Sequence, residues 1–427
     1  VGNNVAETKS ADEIKNIFKT IQELISSKNI FSGHDVSSGG LITTLLEMNF
    51  PNSKGGISIN LDEFNEDDLL KILFNESPGI FIQTNKIGKE KLVKNNIDFI
   101  SIGNTIDERK LNIEFKNKFL SLDLDHFRDV WYKNSFLMDS QQTSNNKSLE
   151  RFENYKNQSL KFKFPSNFKG EIPKNNFKKD IKAAVIREKG INSEREMAYM
   201  LNLCGFKVKD VHMTDLVSGR ENLEDINMLV FPGGFSNSDV LGSAKGWAGA
   251  FKFNKKARKV IKDFYRREDT LSLGVCNGCQ LMMELDLIYP KHEEKHPKME
   301  HNTSNKFECI FSSIDILKSN SIMLKNLEGS TLGIWSAHGE GKFNFKNQKV
   351  NVAAKFHYDE YPANPNGSEF SAAAVCSDDG RHLAIMPHLE RSIFSWNWAH
   401  YPSDREDEIS PWILPFQNAR NWLEENA

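Results

Sequence analysis

Apolar residues recur along this chain in two rhythms, and the rhythm changes with position. Near the start, Ile14, Ile17, Phe18, Ile21, Leu24 and Ile25 keep the three-to-four spacing of an amphipathic helix. FSGHDVSSGG (31–40) interrupts that spacing and reads as a loop, followed by a second apolar helix in LITTLLEM. GIFIQT (79–84) and FISIGNTI (99–106) are short β-like runs. Residues 1–135 thus have an α+β pattern, incomplete for a self-contained domain. Residues 136–180 lose all periodicity and are rich in Lys, Asn and Ser, which predicts a solvated linker or surface wrap.

From 181 onward the pattern becomes α/β. IKAAVI (181–186) is a continuous apolar run, as expected of a strand buried on both faces. Ser193-Glu194-Arg195-Glu196 fits a capping box, with Met197, Met200, Leu201 and Cys204 on one helical face and Gly205 as the stop. FKVKDVHM (206–213), MLVFPGG (228–234) and TLSLGV (270–275) read as further strands. Strand and helix in alternation predict a parallel sheet with flanking helices over 181–427, whose chemistry belongs at the carboxyl ends of the strands.

Composition narrows the classes. The 427 residues suit roughly two to three domains. Hydrophobic residues make up 39%, enough for real cores. Lys+Arg is 55 and Asp+Glu is 58, a balance that argues against a dedicated nucleic-acid binder. No run of about 18 apolar residues predicts a membrane-spanning helix. The N-terminus lacks the basic and apolar regions of a signal peptide and lacks an initiator Met, so the expectation is a cytoplasmic fragment of something longer. Five cysteines, few and odd in number, agree with a reducing compartment.

Two strand ends carry candidate chemistry. Gly233 and Gly234, with Phe235 after them, let the backbone turn sharply and bring N–H groups to a ligand, although a plain βα turn has the same composition. Gly274-Val275-Cys276-Asn277-Gly278 has the form G-x-C-x-G, the thiol counterpart of the nucleophile elbow. There the turn exposes the sulfur, the helix N-terminus favours a thiolate, and the Asn277 N–H can donate to an oxyanion. Cys276 and Cys279 also form C-x-x-C, so a thiol oxidoreductase is the rival; a zinc site would need a second pair, which is missing. Downstream, His388 and Glu390 lie two residues apart in a segment expected to be extended, which puts both on one side. Cys, His and carboxylate together follow triad logic. His338 in WSAHGEG either lines the site or belongs to a structural loop, and His292, His296 and His301 sit in a polar insertion facing solvent.

These motifs, in this order, resemble the class I glutamine amidotransferases. More narrowly, VIREKGINSEREMA, FPGGFSNSDVLGSAKGWA, GVCNGCQLM, WSAHGEGKF and GRHLAIMPHLER look like the glutaminase domain of the large single-chain phosphoribosylformylglycinamidine synthases. Residues 1–135, with HDVSSGGL and LFNESPGIFIQ, resemble the end of that family's aminoimidazole-ribonucleotide-synthetase-like half. The resemblance implies a catalytic set of Cys276, His388 and Glu390. Glutamine would be lined by Gly233, Gly234, Phe235, Asn277, Gln280 and His338. It further implies Asp35 as a magnesium ligand and Ser37 as an ATP contact. Its partners are glutamine, ATP, formylglycinamide ribonucleotide and the remainder of a synthase polypeptide. Ser38 stands where the family usually has an acidic residue, and Leu389 where it has Pro. A glutaminase fold kept only as a scaffold is the non-enzymatic alternative.

Overall fold

The computed structural model describes residues 9–174, 176–289 and 297–427, which divide into two compact units, Val1–Leu137 and Met138–Ala427. The first unit runs α1 (Ala11–Ser26), β1 (Ile30–Val36), α2 (Gly40–Asn49), β2 (Gly56–Asn60), α3 (Leu69–Leu73), β3 (Gly79–Thr84), α4 (Lys86–Lys94), β4 (Gly103–Ile106), β5 (Lys110–Phe115), β6 (Lys118–Asp123) and the start of α5 (Leu124–Asp139). Strands β4, β2, β5 and β6 form one sheet, and the fully buried Leu45, Leu61, Leu111 and Leu124 fill the core against it. β1 corrects a sequence expectation. FSGHDV is a strand, paired antiparallel with β3 so that Asp35 faces Ile80. Its alternating burial is the period-two signal that the following Ser and Gly residues obscured; only 37–39 is loop.

The second unit runs α6 (Lys147–Asn154), β7 (Lys182–Arg187), α7 (Glu194–Leu203), β8 (Lys207–His212), α8 (Met213–Ser218), β9 (Met228–Phe231), α9 (Lys245–Phe253), α10 (Lys255–Arg266), β10 (Leu271–Val275) and α11 (Asn277–Glu284). Then follow β11 (Lys298–Glu300), β12 (Glu308–Ile316), β13 (Thr331–His338), β14 (Lys342–Asn344), β15 (Val352–Phe356), β16 (Ala372–Cys376), β17 (His382–Ile385) and α12 (Leu414–Asn426). A nine-stranded sheet has the order β13-β12-β15-β16-β17-β10-β9-β7-β8. From β17 to β8 it is parallel, as the strand–helix alternation predicts; from β17 to β13 it continues antiparallel. Burial on both faces explains the apolar runs of β9 and β10, every residue of which is buried.

Residues 138–180 wrap this unit. Phe162 and Phe164 pack edge-on against Trp398, and Lys163 exchanges two backbone hydrogen bonds with Thr331 at the start of β13. Arg151 of α6 bonds the buried Glu308 carboxylate at 2.9 Å. Among the described residues no helix is long and apolar enough to cross a membrane.

Candidate active site

β10 ends at Val275 and α11 begins at Asn277, so Cys276 alone makes the turn from strand to helix. Its backbone lies at φ 52° and ψ −108°, a conformation that costs free energy in a residue with a Cβ and persists only where the surroundings enforce it. Gly278 is part of that enforcement. A Cβ there would lie 1.9 Å from the Phe231 carbonyl oxygen, so only glycine lets α11 sit this close to β9. The first N–H groups of α11 have no partner within the helix and point back towards the turn. Cys276 is buried, and its thiol donates to the Ala337 carbonyl at 3.6 Å.

Sheet register brings the rest together. Gly274 pairs with Phe231 of β9, and Val275 with Ile385 of β17. Three adjacent strands therefore release the chain at one level, and Gly233, Cys276 and His388 follow within three residues. A Cβ on Gly233 would lie 2.7 Å from His388 Cε1 and 3.3 Å from Cys276 Cβ, which puts the Gly233 turn against both. The Cys276 sulfur lies near enough to the His388 imidazole to favour its charged form, and the ring's Nδ1 lies 2.7 Å from Glu390 Oε1. The pairing with Glu390 arises by a route other than the expected extended segment. The chain enters a 3-10 turn at Leu389–Arg391 directly after His388, and the turn folds the carboxylate back under the ring. The His388 N–H, given to the Trp335 carbonyl at 2.7 Å, anchors the residue on β13.

Burial sets the electrostatics. The side chains of His388 and Glu390 are 3% and 0% exposed. Burial opposes charge on His388, but the Glu390 carboxylate and the Cys276 sulfur outweigh it and hold the imidazolium up to about 10. Burial likewise works against the Glu390 carboxylate, and His388 beside it holds the carboxyl below its ordinary range. Glu390 Oε2 has no hydrogen-bond partner, so His388 is the group that compensates this carboxylate. His338, at the end of β13, is buried and pushed down to about 4, hence neutral; Asn366 Nδ2 approaches its Nε2 at 3.4 Å, and its Nδ1 is unpartnered.

The other predicted residues gather around this pair with distinct roles in the packing. Asn277 Oδ1 accepts the Ser236 N–H at 3.2 Å, and its Nδ2 donates to Gln280 Oε1 at 3.0 Å. Gln280 Nε2 in turn donates to the Glu340 carbonyl at 2.8 Å. Gly234 has φ 130° and forms an antiparallel bridge with Ile191. Phe235 is exposed and rests on Phe307, ring centroids 5.9 Å apart. Ser193 corrects an expectation. It precedes α7, yet its backbone is left-handed (φ 72°) and its hydroxyl makes no cap; instead it accepts the Gly233 N–H at 3.3 Å. Sequence reasoning missed that role because no local signal distinguishes it from capping. Cys279 points into the core, fully buried, with burial holding its thiol well above the ordinary range. A redox pair needs a second reactive thiol, and Cys279 is poorly placed to be one.

The first unit holds the two remaining candidates. Asp35 is largely exposed, its carboxylate 3.5 Å from His34 Nδ1, and Ser37 is exposed in the loop after β1. Among the described residues no three His, Cys, Asp or Glu side chains gather as a metal site, so Asp35 stands without a second and third described ligand beside it. His301 is exposed, while His292 and His296 lie outside the described residues.

Residues 180–423 match the model of the CobB/CobQ-like glutamine amidotransferase domain, and residues 4–116 that of the AIR synthase related protein, C-terminal domain. The chain is 39% identical to a probable phosphoribosylformylglycinamidine synthase, chloroplastic/mitochondrial, of Arabidopsis thaliana, over 99% of its own length and 32% of the relative's. It is 36% identical to phosphoribosylformylglycinamidine synthase of Dictyostelium discoideum, over 96% of its own length and 34% of the relative's. The chain thus spans about a third of the curated relatives it matches. Among solved structures, PurLQS from Thermotoga maritima aligns at 25% identity with a TM-score of 0.46, covering 57% of this chain and 100% of that one. With its family model matched over residues 180–423, more than half of the chain and every strand of the nine-stranded sheet, the chain belongs to the CobB/CobQ-like glutamine amidotransferases.

Proposed function

We propose that this chain hydrolyses glutamine at Cys276 and supplies the ammonia to a phosphoribosylformylglycinamidine synthase reaction. The observation that carries the proposal is the convergence of Cys276 with His388 and Glu390 at two neighbouring strand ends, with the Gly233 turn of a third against them.

The chemistry follows from the geometry. The Cys276 thiolate attacks the carboxamide carbon of glutamine, forming a C–S bond and a tetrahedral oxyanion. The Asn277 N–H at the start of α11 and the Gly234 N–H are the donors for that oxyanion, the Gly233 N–H being given to Ser193. His388, held as imidazolium by Glu390, protonates the departing nitrogen; the C–N bond breaks and ammonia leaves a γ-glutamyl thioester. The now neutral His388 takes a proton from water, hydroxide attacks the thioester, the C–S bond breaks, and glutamate and thiolate are released. Neutral His338 fits beside this cycle because a second cation there would oppose the imidazolium.

The synthase step itself, in which ATP activates formylglycinamide ribonucleotide and ammonia displaces phosphate to give the amidine, belongs in this proposal to the longer polypeptide. Asp35 and Ser37 are the contacts this chain would lend to magnesium and ATP there. Five free thiols suit a reducing compartment such as the cytoplasm. The test is to measure glutamate release from L-glutamine by the wild-type chain, Cys276→Ala and Cys279→Ala. Loss of the nucleophile should lower turnover by roughly 10⁴ or more, as in other triad knockouts. Cys279→Ala should keep most of the activity. Equal loss in both variants would transfer the case to the C-x-x-C pair.

A further inference from the structure

The nucleophile's surroundings contain two carboxylates that the triad does not use. Asp239 ends the 3-10 turn Ser236–Asp239, and Glu340 lies just past the end of β13. Ser243 stands between them: its hydroxyl donates to Asp239 Oδ2 at 3.2 Å and its N–H to Glu340 Oε2 at the same distance. Both tie into the first turn of α11. Asn277 Nδ2 donates to Asp239 Oδ1 at 3.3 Å, and Gln280 Nε2 to the Glu340 carbonyl. Neither carboxylate has a Lys, Arg or His within ion-pair distance among the described residues. Burial raises the Asp239 carboxyl, and the neighbouring Glu340 adds to the rise.

Two like charges partly removed from water, with no counter-ion, are costly unless a cation arrives. A second observation concerns unmet hydrogen bonds on the same two stretches. Ser236, which opens the Asp239 turn, is 1% exposed and its hydroxyl has no partner; His338, two residues before Glu340, is 2% exposed and its Nδ1 has none. Buried polar atoms are normally satisfied, and these two still have a hydrogen bond to offer a polar ligand. Only four bonds separate the carboxamide carbon of glutamine from its α-amino nitrogen, and Asn277, next to the nucleophile, touches Asp239. We propose that Asp239 and Glu340 bind the α-ammonium group of the substrate and so select an α-amino amide over a plain carboxamide. The assignment deepens the glutaminase proposal and rests on it.

The test compares L-glutamine with glutaramate, the same amide without the α-amino group, on the full 427-residue chain. Wild type, Asp239→Asn and Glu340→Gln are assayed for kcat/KM on both amides. Asn keeps an acceptor for the Ala244 N–H that Asp239 now receives, so helix capping survives the change. Alkylation of Cys276 by iodoacetamide, which carries no ammonium group, reports the integrity of the site in each variant. The expected result is a glutamine-to-glutaramate preference in wild type that falls at least tenfold, about 1.4 kcal/mol, in each variant. An unchanged ratio in both would assign the carboxylates to capping and overturn the proposal. So would a wild type indifferent to the α-amino group. Cys276 alkylated normally with no amide hydrolysed by wild type would instead refute the glutaminase reading beneath it.

Discussion

Gly233→Ala is the most local test of how the three strand ends cooperate. The new methyl would sit 2.7 Å from His388 Cε1, against the 3.4 Å or more of ordinary contact, and 3.3 Å from Cys276 Cβ. Cys276 has little freedom to move, since strand and helix fix it from both sides. His388 must therefore retreat by about 0.7 Å, and the 3-10 turn carries Glu390 with it. Overpacking of this size costs about 1–3 kcal/mol in stability. Its kinetic effect is larger in proportion, because a displacement approaching 1 Å in a reacting group can cost up to about 100-fold. The expected outcome is a kcat for glutamine hydrolysis lowered roughly 10- to 100-fold, with the folded state retained in a thermal melt. Gly249→Ala is the matching control. Its methyl meets nothing nearer than Phe253 Cδ2 at 3.9 Å, and α9 should tolerate or welcome it. A Gly233→Ala enzyme with wild-type kcat would refute the placement of His388 against the Gly233 turn.

Glu390→Gln should let His388 fall below about 10, because burial is then opposed by the Cys276 sulfur alone; histidine-labelled NMR reads this directly, and a ring titrating as in wild type would refute the pairing. The stability lost in that variant should be greatest between about pH 4.5 and 6.5. His388, raised in the fold, contributes fully below its unfolded value and loses the contribution as pH rises towards 10, while Glu390, lowered in the fold, loses its contribution as pH falls. Arg151→Ala should cost about 3 kcal/mol in urea unfolding, since it leaves the buried Glu308 carboxylate without its cation, only the Tyr361 hydroxyl remaining, and also removes the Arg151 bond to Tyr361; a loss under about 1 kcal/mol would mark the pair as a surface contact. His382, buried at the start of β17 and bonded to Ser272 Oγ, is pushed down to about 4. His382→Asn should therefore flatten the acid side of the stability curve between about pH 6.5 and 4, where the wild-type ring must pick up a proton to unfold.

Much of this architecture is legible in the order of residues because the elements that build the site obey local rules. AAVI, MLVF and LSLGV are apolar but for the buried Ser272, as suits strands covered on both faces, and G-x-C-x-G has little use except as a tight elbow. What escaped local reading depends on partners distant in the chain. FSGHDV is a strand because β3 lies beside it, and its own glycine and serine hide the alternation. Ser193 is indistinguishable in sequence from a cap, and its bond to Gly233 exists only because β7 and β9 are neighbours in the sheet. Glu390 shows the opposite case. The pairing with His388 follows from proximity in sequence, but by a turn rather than by strand geometry, since either conformation brings the carboxylate within reach of the ring.

The burial of Cys279 bears on how this chain would withstand oxidants. Sulfur oxidised to the sulfenic acid is normally rescued by a nearby thiol that condenses with it, and many peroxide-sensing sites keep such a resolving cysteine within a few residues. Here the neighbouring sulfur three positions on faces the core, protonated and inaccessible. A sulfenic acid on Cys276 would find no partner in Cys279 and would turn to a small thiol from solution. If Cys276 carries the proposed chemistry, endurance under peroxide depends on small thiols in solution, and prolonged exposure carries this sulfur towards the irreversible sulfinic state rather than to a disulfide with Cys279.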